Sequence, residues 1–302
     1  MHKKVNPKLR IGTRGSKLAL WQAHFTQDKL SEIGIESELI IIKTTGDQIQ
    51  HLSFDKMEGK GFFTKEIEEA LIQGLIDVAV HSHKDLETTP PEDLIIAAVS
   101  QRADARELLL IRPEGIDAQQ TWSLKSGAVV GTSSARRKSQ IIHQRPDVHL
   151  ADIRGNVPTR IQKLRDGHFD AILLAKAGID RLQCSLDGLH VVVLDSNELV
   201  PAPAQGALAI QCRKGDEQTI QSVQSLHDPR TAECIFIERS VLNRLDGGCH
   251  LPLGVHAMRT DDAWLIEVAH ADLWNMPVRR FTLRATLAHE AIEEILAFIN
   301  KA

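Results

Sequence analysis

Cysteine is scarce in this chain, and its placement excludes several kinds of site. Only four cysteines occur among 302 residues, and no two have the spacing of a zinc knuckle or a redox motif. Four cysteines in a chain of this length do not make a disulfide framework, which is typical of a reducing compartment. We therefore expect a cytoplasmic protein without a cysteine-based metal site.

Long apolar runs and an excess of positive charge are also missing. No run approaches the ~18 apolar residues of a membrane-spanning helix, so we expect no membrane partner. The first residues, MHKKVNPKLRIGTRGS, are basic without an apolar core, so we expect no secretory signal. The formal net charge of −4 argues against nucleic-acid binding and confines any cationic site to a local cluster.

Short apolar runs do alternate with amphipathic segments of helical length. Leu18, Trp21 and Phe25 share one face of the first such segment. The pattern predicts strands over 9–12, 36–43 and 77–82, helices over 16–30 and near 62–73, and a polar, glycine-containing loop over 44–61. This order predicts parallel strands with helices on both faces of the sheet.

A faint internal repeat predicts two similar α/β domains. IGTRGS (11–16) matches VGTSSA (130–135), and LIQGLIDVA (71–79) matches LRDGHFDAI (164–172). Chance could supply either match, but both in the same order favour a duplication. We expect the two domains to face each other across a cleft.

The last third of the chain has a different pattern. GALAIQCR (206–213) is one more strand, which we expect to return to the first domain. A helix over 229–246, three antiparallel strands and a final helix predict a small α+β domain. The expected domains are therefore 1–104 with 201–224, 105–200, and 225–302.

Arginines follow the ends of several predicted strands. In VVGTSSARRKSQ (129–140), Arg136 and Arg137 open a helix whose dipole disfavours cations there, so an anionic ligand would explain them. The alternative is a solvated basic face with ordinary helix caps. Two further predicted strand ends have the same character: one is followed by Arg154 and Arg160, and the other by Arg14 and Ser16. Ligands of open α/β sheets lie beyond such ends, which predicts a ligand with several carboxylates or phosphates.

A fourth strand end, AVHSHKDLE (79–87), adds Lys84 and Asp85. One alternative is a surface ion-pair-like doublet; the other is a carboxylate that stabilises positive charge formed on a substrate. His81 and His83 alternate on this strand, but a third metal ligand is missing, so we expect hydrogen-bonded histidines and no metal.

Cys249 follows Gly247 and Gly248 in LDGGCHLPLG, on the turn before a predicted strand. Glycines let the backbone take conformations that hold a side chain out from a turn. A buried, inert thiol is the alternative for Cys249.

Taken together, these motifs resemble the porphobilinogen deaminase (hydroxymethylbilane synthase) family. The resemblance runs almost end to end, through IGTRGSKLALWQ, GKGFFTKEIE, DVAVHSHKDL, VVGTSSARRKSQ, IRGNVPTR, PAPAQGALAIQCR and LDGGCHLPLG. It implies an α/β fold of two similar doubly wound, periplasmic-binding-protein-like domains flanking a cleft, with a small α+β C-terminal domain.

The resemblance also implies a reaction and a cofactor. The enzymes of this family are cytoplasmic transferases of tetrapyrrole (haem) biosynthesis. They condense four porphobilinogen molecules head to tail, with loss of ammonia, to linear hydroxymethylbilane. A dipyrromethane cofactor, made from the same substrate, would be joined to Cys249 by a thioether. We expect a monomer with this small-molecule substrate as its partner.

Residue roles follow by the same resemblance. Asp85 would be catalytic, stabilising the positive charge of the azafulvene that forms when ammonia leaves. The residues expected to hold the cofactor's acid groups are Lys84, Thr132, Ser134, Arg136 and Arg137. Those expected to bind the substrate are Arg14, Ser16, Arg154, Arg160, Arg181 and Gln205, with Lys56 and Lys60 on the active-site loop and Phe63 as a nearby aromatic.

Two other functions are compatible with parts of the pattern. A solute-binding protein would share paired α/β domains and a cationic cleft, but it would not need Cys249. An inactive relative that binds pyrroles would not need both Asp85 and Cys249.

Overall fold

The computed structural model describes residues 8–44, 64–248 and 251–301. The chain divides into two compact units. The first unit is Met1–Arg102 with Ala207–Ala232, and the second is Ala103–Gly206 with Glu233–Ala302.

Strands and helices alternate through most of the described chain. The strands are β1 (Leu9–Thr13), β2 (Ser37–Ile41), β3 (Val78–Ser82), β4 (Leu94–Val99), β5 (Glu107–Ile111), β6 (Val129–Gly131), β7 (His149–Ala151), β8 (Ala171–Ala175), β9 (His190–Leu194), β10 (Leu208–Arg213), β11 (Leu253–Arg259), β12 (Trp264–His270) and β13 (Arg279–Ala285). The helices are α1 (Lys17–Glu32), α2 (Lys65–Ile72), α3 (Ala135–Gln144), α4 (Val157–Arg165), α5 (Lys176–Leu182), α6 (Glu217–Val223), α7 (Pro229–Arg244) and α8 (Ala288–Asn300).

The first unit contains a five-stranded sheet in the order β2-β1-β3-β10-β4. Strands β1, β2 and β3 are parallel, and β10 runs antiparallel between β3 and β4. The predicted strand over 206–213 therefore does belong to the first unit. Ile11, Val80 and Ile210 are buried in the core beside this sheet.

The second unit repeats this arrangement in the order β7-β6-β8-β5-β9. Strands β6, β7 and β8 are parallel, and β5 is the antiparallel strand in fourth place. In each sheet the antiparallel strand is the first strand after the chain crosses into that unit from the other one, at Ala207 for β10 and at Ala103 for β5. The matching topology confirms the α/β class and the two similar domains predicted from the repeat.

A separate three-stranded antiparallel sheet, β11-β12-β13, completes the second unit. Its core joins the sheet to α7 and α8 through Ile237, Val255, Ile266 and Ile295, all of which are buried. The predicted small α+β region at the C-terminus is thus confirmed.

The buried face of helix α1 differs slightly from the face predicted from the sequence. Trp21 and Phe25 do lie on one side, with ring centroids 5.4 Å apart, but both are only half-buried. The fully covered stripe is the adjacent one, which includes Ala23 and Leu30. Ala23 and Leu30 belong to the core beside the sheet, and Phe25 packs against that core from a partly buried position.

None of the helices in the described ranges is long and apolar enough to cross a membrane.

Candidate active site

Two of the predicted strand ends meet in the first unit. Strands β1 and β3 are parallel neighbours, so their carboxyl ends lie at the same edge of the sheet. Arg14 follows β1, and Ser16 caps α1 by accepting a hydrogen bond from the backbone N–H of Ala19 at 3.3 Å. Lys84 and Asp85 lie in a 3-10 turn that directly follows β3. Asp85 is exposed, so a ligand can reach its carboxylate.

Buried polar side chains connect this edge to the sheet below it. Gln22 of α1 donates from its amide nitrogen to the hydroxyl of Ser82 at 2.7 Å, tying the helix to the end of β3. His81 lies 3.2 Å from the side-chain oxygen of Gln211. Burial, aided by the positive charge of Arg14, lowers the pKa of His81 to about 4, although Gln211 opposes the shift. His81 is therefore neutral at pH 7.

In the part of the chain that the structure describes, no metal cluster accompanies these histidines. Within the ranges that the structure describes, no three His, Cys, Asp or Glu side chains gather as a metal ion would require.

In the second unit, small hydroxyl residues form the start of α3. Ser134 is its N-cap and accepts from the backbone N–H of Arg137 at 3.4 Å. Thr132 is buried, and its hydroxyl oxygen accepts from the backbone N–H of Ser134 at 3.3 Å. Each hydroxyl also carries one O–H donor.

The two arginines of α3 turn away from solvent. Arg136 and Arg137 are only 5% and 7% exposed, so the alternative of a solvated basic face is wrong. Both pair with the carboxylate of Glu107, whose side chain is fully buried. Burial lowers the pKa of Arg136, and Glu107 opposes that shift.

Gln205 belongs to the same cluster. Its side chain is fully buried, and its amide nitrogen donates to the carbonyl of Ala105 at 2.7 Å and to Glu107 at 3.0 Å. The structure thus brings Gln205 together with Arg136 and Arg137 through Glu107.

Arg154 and Arg160 lie around the turn that opens α4. Ser133 both donates to the carbonyl and accepts from the N–H of Ile153, which ties this turn to the start of α3. Arg160 Nε donates to the carbonyl of Gly155 at 2.7 Å. Gly155 has φ +112°, and a Cβ there would lie 2.7 Å from a Thr159 methyl, so this tight turn requires glycine.

Arg181 lies in the last turn of α5. Its Nη2 donates to the carbonyl of Gly206 at 2.7 Å. Burial lowers the pKa of Arg181 to about 10, which still leaves it protonated at pH 7.

Four predicted site residues, Lys56, Lys60, Phe63 and Cys249, lie outside the described residues. Two of the other cysteines, Cys212 and Cys234, are buried. Cys234 packs in the C-terminal core, and burial raises the pKa of Cys212 to about 12.

Sequence reasoning missed Glu107. A signal did exist in the sequence, because Glu107 heads the apolar run ELLLI, which forms the fully buried strand β5. A charged residue in such a strand needs a buried partner of opposite charge.

These features define an α/β protein whose cationic and hydroxyl side chains cluster at the carboxyl ends of strands, a class suited to acidic small molecules. Two family models match the chain: "Porphobilinogen deaminase, dipyromethane cofactor binding domain" over residues 9–221, and "Porphobilinogen deaminase, C-terminal domain" over residues 232–273. The chain belongs to the porphobilinogen deaminase family, as the motifs predicted.

Individual relatives agree with this assignment. A porphobilinogen deaminase of Sulfurimonas denitrificans is 48% identical over 259 residues, covering 84% of this chain and 80% of the relative. One of Nitratiruptor sp. is 45% identical over 250 residues, covering 83% and 78%. The assignment confirms the predicted transferase function in tetrapyrrole biosynthesis and the dipyrromethane cofactor.

Solved structures show a weaker, general likeness. A periplasmic substrate-binding protein of an ABC transporter from Coxiella burnetii is 16% identical, with a TM-score of 0.43, and the match covers 76% of this chain and 97% of that one.

Proposed function

We propose that this chain condenses four porphobilinogen molecules head to tail, with loss of ammonia, to linear hydroxymethylbilane. The observation that carries the proposal is the arrangement in the first unit. The cation of Arg14 and the exposed carboxylate of Asp85 follow adjacent parallel strands. A substrate with acid side chains and a developing positive charge needs both kinds of group.

The second unit offers residues that fit an acidic cofactor. Two guanidinium groups share one carboxylate, so the cluster of Arg136, Arg137 and Glu107 has a net positive charge. The hydroxyls of Thr132 and Ser134 lie at the start of the same helix. These residues would hold the acid groups of the dipyrromethane. When bound, the cofactor supplies the pyrrole carbon nucleophile to which porphobilinogen is joined.

Asp85 would act on the substrate itself. Ammonia leaves from the aminomethyl group of porphobilinogen, and positive charge develops on the pyrrole ring. A carboxylate held at that point stabilises the charge in the transition state more than in the ground state, which is what accelerates a reaction.

The remaining cations would bind carboxylates. Arg14 and Ser16 would hold acid groups of the substrate, and Lys84 an acid group of the cofactor. Arginine suits this task because its planar fork matches a carboxylate with two parallel hydrogen bonds. In the second unit, Arg154, Arg160, Arg181 and Gln205 would bind the substrate, and Gln205 also donates to Glu107 at 3.0 Å.

The test is to replace Asp85. Asp85→Asn keeps the shape of the side chain but removes its charge, while Asp85→Glu keeps the charge and moves it by one methylene. Single-turnover ammonia release should fall by about 10²–10³-fold in Asp85→Asn, with a smaller loss in Asp85→Glu. Porphobilinogen binding should survive in both. Asp93→Asn, an exposed carboxylate before β4, is the matched control and should be fully active.

An Asp85→Asn enzyme as fast as Asp85→Glu would show that the charge is not the catalytic element. The role of Asp85 would then have to be withdrawn.

Other parts of the proposal concern the whole protein. We place the cofactor thioether on Cys249, the active-site loop roles on Lys56 and Lys60, and an aromatic role on Phe63. We also propose domains over 1–104 with 201–224, 105–200, and 225–302. We further propose a cytoplasmic monomer without nucleic-acid or membrane partners; the scattered cysteines support the cytoplasm, and the net charge of −4 argues against nucleic-acid binding.

A further inference from the structure

A fully buried carboxylate lies behind the first turn of α3. Glu107 begins β5, and its side chain has 0% exposure. Oε1 of Glu107 accepts from Arg136 Nη2 at 2.5 Å, from Arg137 Nε at 3.1 Å and from Gln205 Nε2 at 3.0 Å. Oε2 accepts from Arg137 Nη2 at 2.7 Å. One carboxylate therefore organises three side chains.

The two arginines are held in different ways. Arg137 meets Glu107 side-on with two hydrogen bonds, a geometry that fixes the plane of its guanidinium. Arg136 meets Glu107 end-on with a single bond. A backbone carbonyl holds a second side of each guanidinium: Val200 for Arg136 at 2.8 Å, and Leu173 for Arg137 at 3.1 Å.

These contacts use only part of each guanidinium. Of the five N–H groups that an arginine carries, two of Arg136 and three of Arg137 donate to the acceptors named above, within the described chain. The donors that remain belong to planar guanidinium groups that are fixed by these same hydrogen bonds.

Without Glu107, the positive charges of Arg136 and Arg137 would oppose this arrangement. Arg136 and Arg137 are consecutive residues, both nearly fully buried, at a helix end that disfavours cations. Two buried like charges repel each other strongly in a medium of low dielectric constant. Glu107 offsets that repulsion and leaves the cluster with a single net positive charge.

We propose that Glu107 is a positioning residue for the reaction. It aims the guanidinium groups of Arg136 and Arg137 at the acid groups of the cofactor. Its negative charge also lowers the net positive charge that would attract those acid groups. The inference rests on the proposed function, in which these arginines bind the cofactor.

Positioning and simple electrostatics predict opposite results when Glu107 is neutralised. Glu107→Gln raises the net charge of the cluster from +1 to +2. An acid ligand attracted only by charge should then bind more tightly. If Glu107 aims the two forks, the ligand should bind more weakly, because glutamine keeps only one acceptor oxygen for the two guanidinium groups and its NH2 group cannot accept from Arg137.

The experiment measures covalent loading of the cofactor by intact mass. Full-length protein, purified from cells that make no porphobilinogen, is incubated with graded porphobilinogen concentrations, and the mass increment is followed with time. We expect Glu107→Gln to load about tenfold more slowly or worse, mainly through a higher half-saturating concentration, since hydrogen bonds to charged groups have about this worth. Glu107→Asp, which keeps the charge, should recover part of the rate.

A second pair of variants keeps the test valid if Glu107→Gln does not fold. Arg136→Gln leaves Glu107 paired with Arg137 alone. Adding Glu107→Gln to it makes the cluster more positive but removes the side-on pairing of Arg137. We expect the double variant to load more slowly than Arg136→Gln.

Asp170→Asn is the control for a loss of stability alone. Asp170 is also nearly buried, and it accepts hydrogen bonds from Arg112, Lys125 and the backbone N–H of Val129 in the same sheet. Compared at equal distance below the melting temperature of each variant, Asp170→Asn should load at the wild-type rate.

The outcomes separate positioning by Glu107 from the cofactor-binding role of the two arginines. If Glu107→Gln, or the double variant relative to Arg136→Gln, loads equally fast or faster, positioning by Glu107 is refuted while the cofactor role of the arginines stands. If Arg136→Gln and Arg137→Gln both load like wild type, the cofactor role itself fails, and the inference falls with it.

Discussion

Gly254 offers a direct test of how the C-terminal sheet supports the arginine cluster. A Cβ on Gly254, in β11, would lie 2.7 Å from the carbonyl oxygen of Val200 and 2.8 Å from its Cβ, whereas ordinary contacts begin near 3.4 Å. Neither atom is the end of a flexible side chain. Gly254→Ala must therefore push the two segments about 0.7 Å apart, and overpacking of this kind costs about 1–3 kcal/mol.

The displaced carbonyl is itself a functional contact. Val200 accepts from Arg136 Nη1 at 2.8 Å and from the side chain of Gln140 at 3.1 Å. A shift of about 0.7 Å changes the length or the angle of one or both bonds enough to weaken them. Gly254→Ala should therefore lower the stability of the second unit and also slow cofactor loading.

Urea unfolding and the loading rate measure these two effects. Gly178→Ala is the matched control, because a Cβ there meets only a methyl of Val157 at 3.7 Å. Gly178 lies in helix α5, so alanine should leave stability unchanged or raise it by up to about 1 kcal/mol. A Gly254→Ala protein as stable as wild type would refute the close-packing argument.

Three further predictions concern protonation and the thiol. Burial opposes ionisation of Asp77, but hydrogen bonds from Arg10 and Arg213 outweigh it and lower the pKa of Asp77. Asp77→Asn should therefore reduce stability to urea at pH 7, and the difference from wild type should shrink as the pH falls below about 4, where the unfolded carboxylate is protonated. The pKa of His81, lowered to about 4, predicts that stability declines as the pH falls from 6.5 towards 4. His81→Gln should flatten that part of the urea profile, and an unchanged slope would contradict the assignment. Cys249→Ser should yield protein of unmodified mass with little activity, because a hydroxyl is a poorer nucleophile than a thiolate; a full cofactor mass on another cysteine would disprove the anchor.

Local signals in the sequence were sufficient to predict where many helices start and many strands end. Ser16, Ser134 and Asn156 each cap a helix by accepting a backbone N–H three residues later, and Pro158 lies in the first turn of α4. Such contacts span one helical turn, so residue type and spacing predict them. The repeat likewise predicted the two matching sheets, because each copy contains its own strand and helix pattern.

The buried polar partners could not be predicted in this way. The bond between Gln22 and Ser82 joins residues 60 apart in the chain, and that between His81 and Gln211 joins residues 130 apart. Each depends on which strand lies beside which. The sequence also left two alternatives for Arg136 and Arg137, a ligand or solvent, and the structure supplied a third partner in Glu107.

The sequence by itself determined the α/β class, the arginines at successive strand ends and the family. These depend on periodicity and on contiguous motifs, which are properties of neighbouring residues. Only the tertiary structure decided that Glu107 meets Arg136, 29 residues later, and Gln205, 98 residues later. The physical reason is the strand order. Strand β5 lies antiparallel to β8, and this places the charged side chain of Glu107 in a buried position. A buried carboxylate is stable only when cations pair with it.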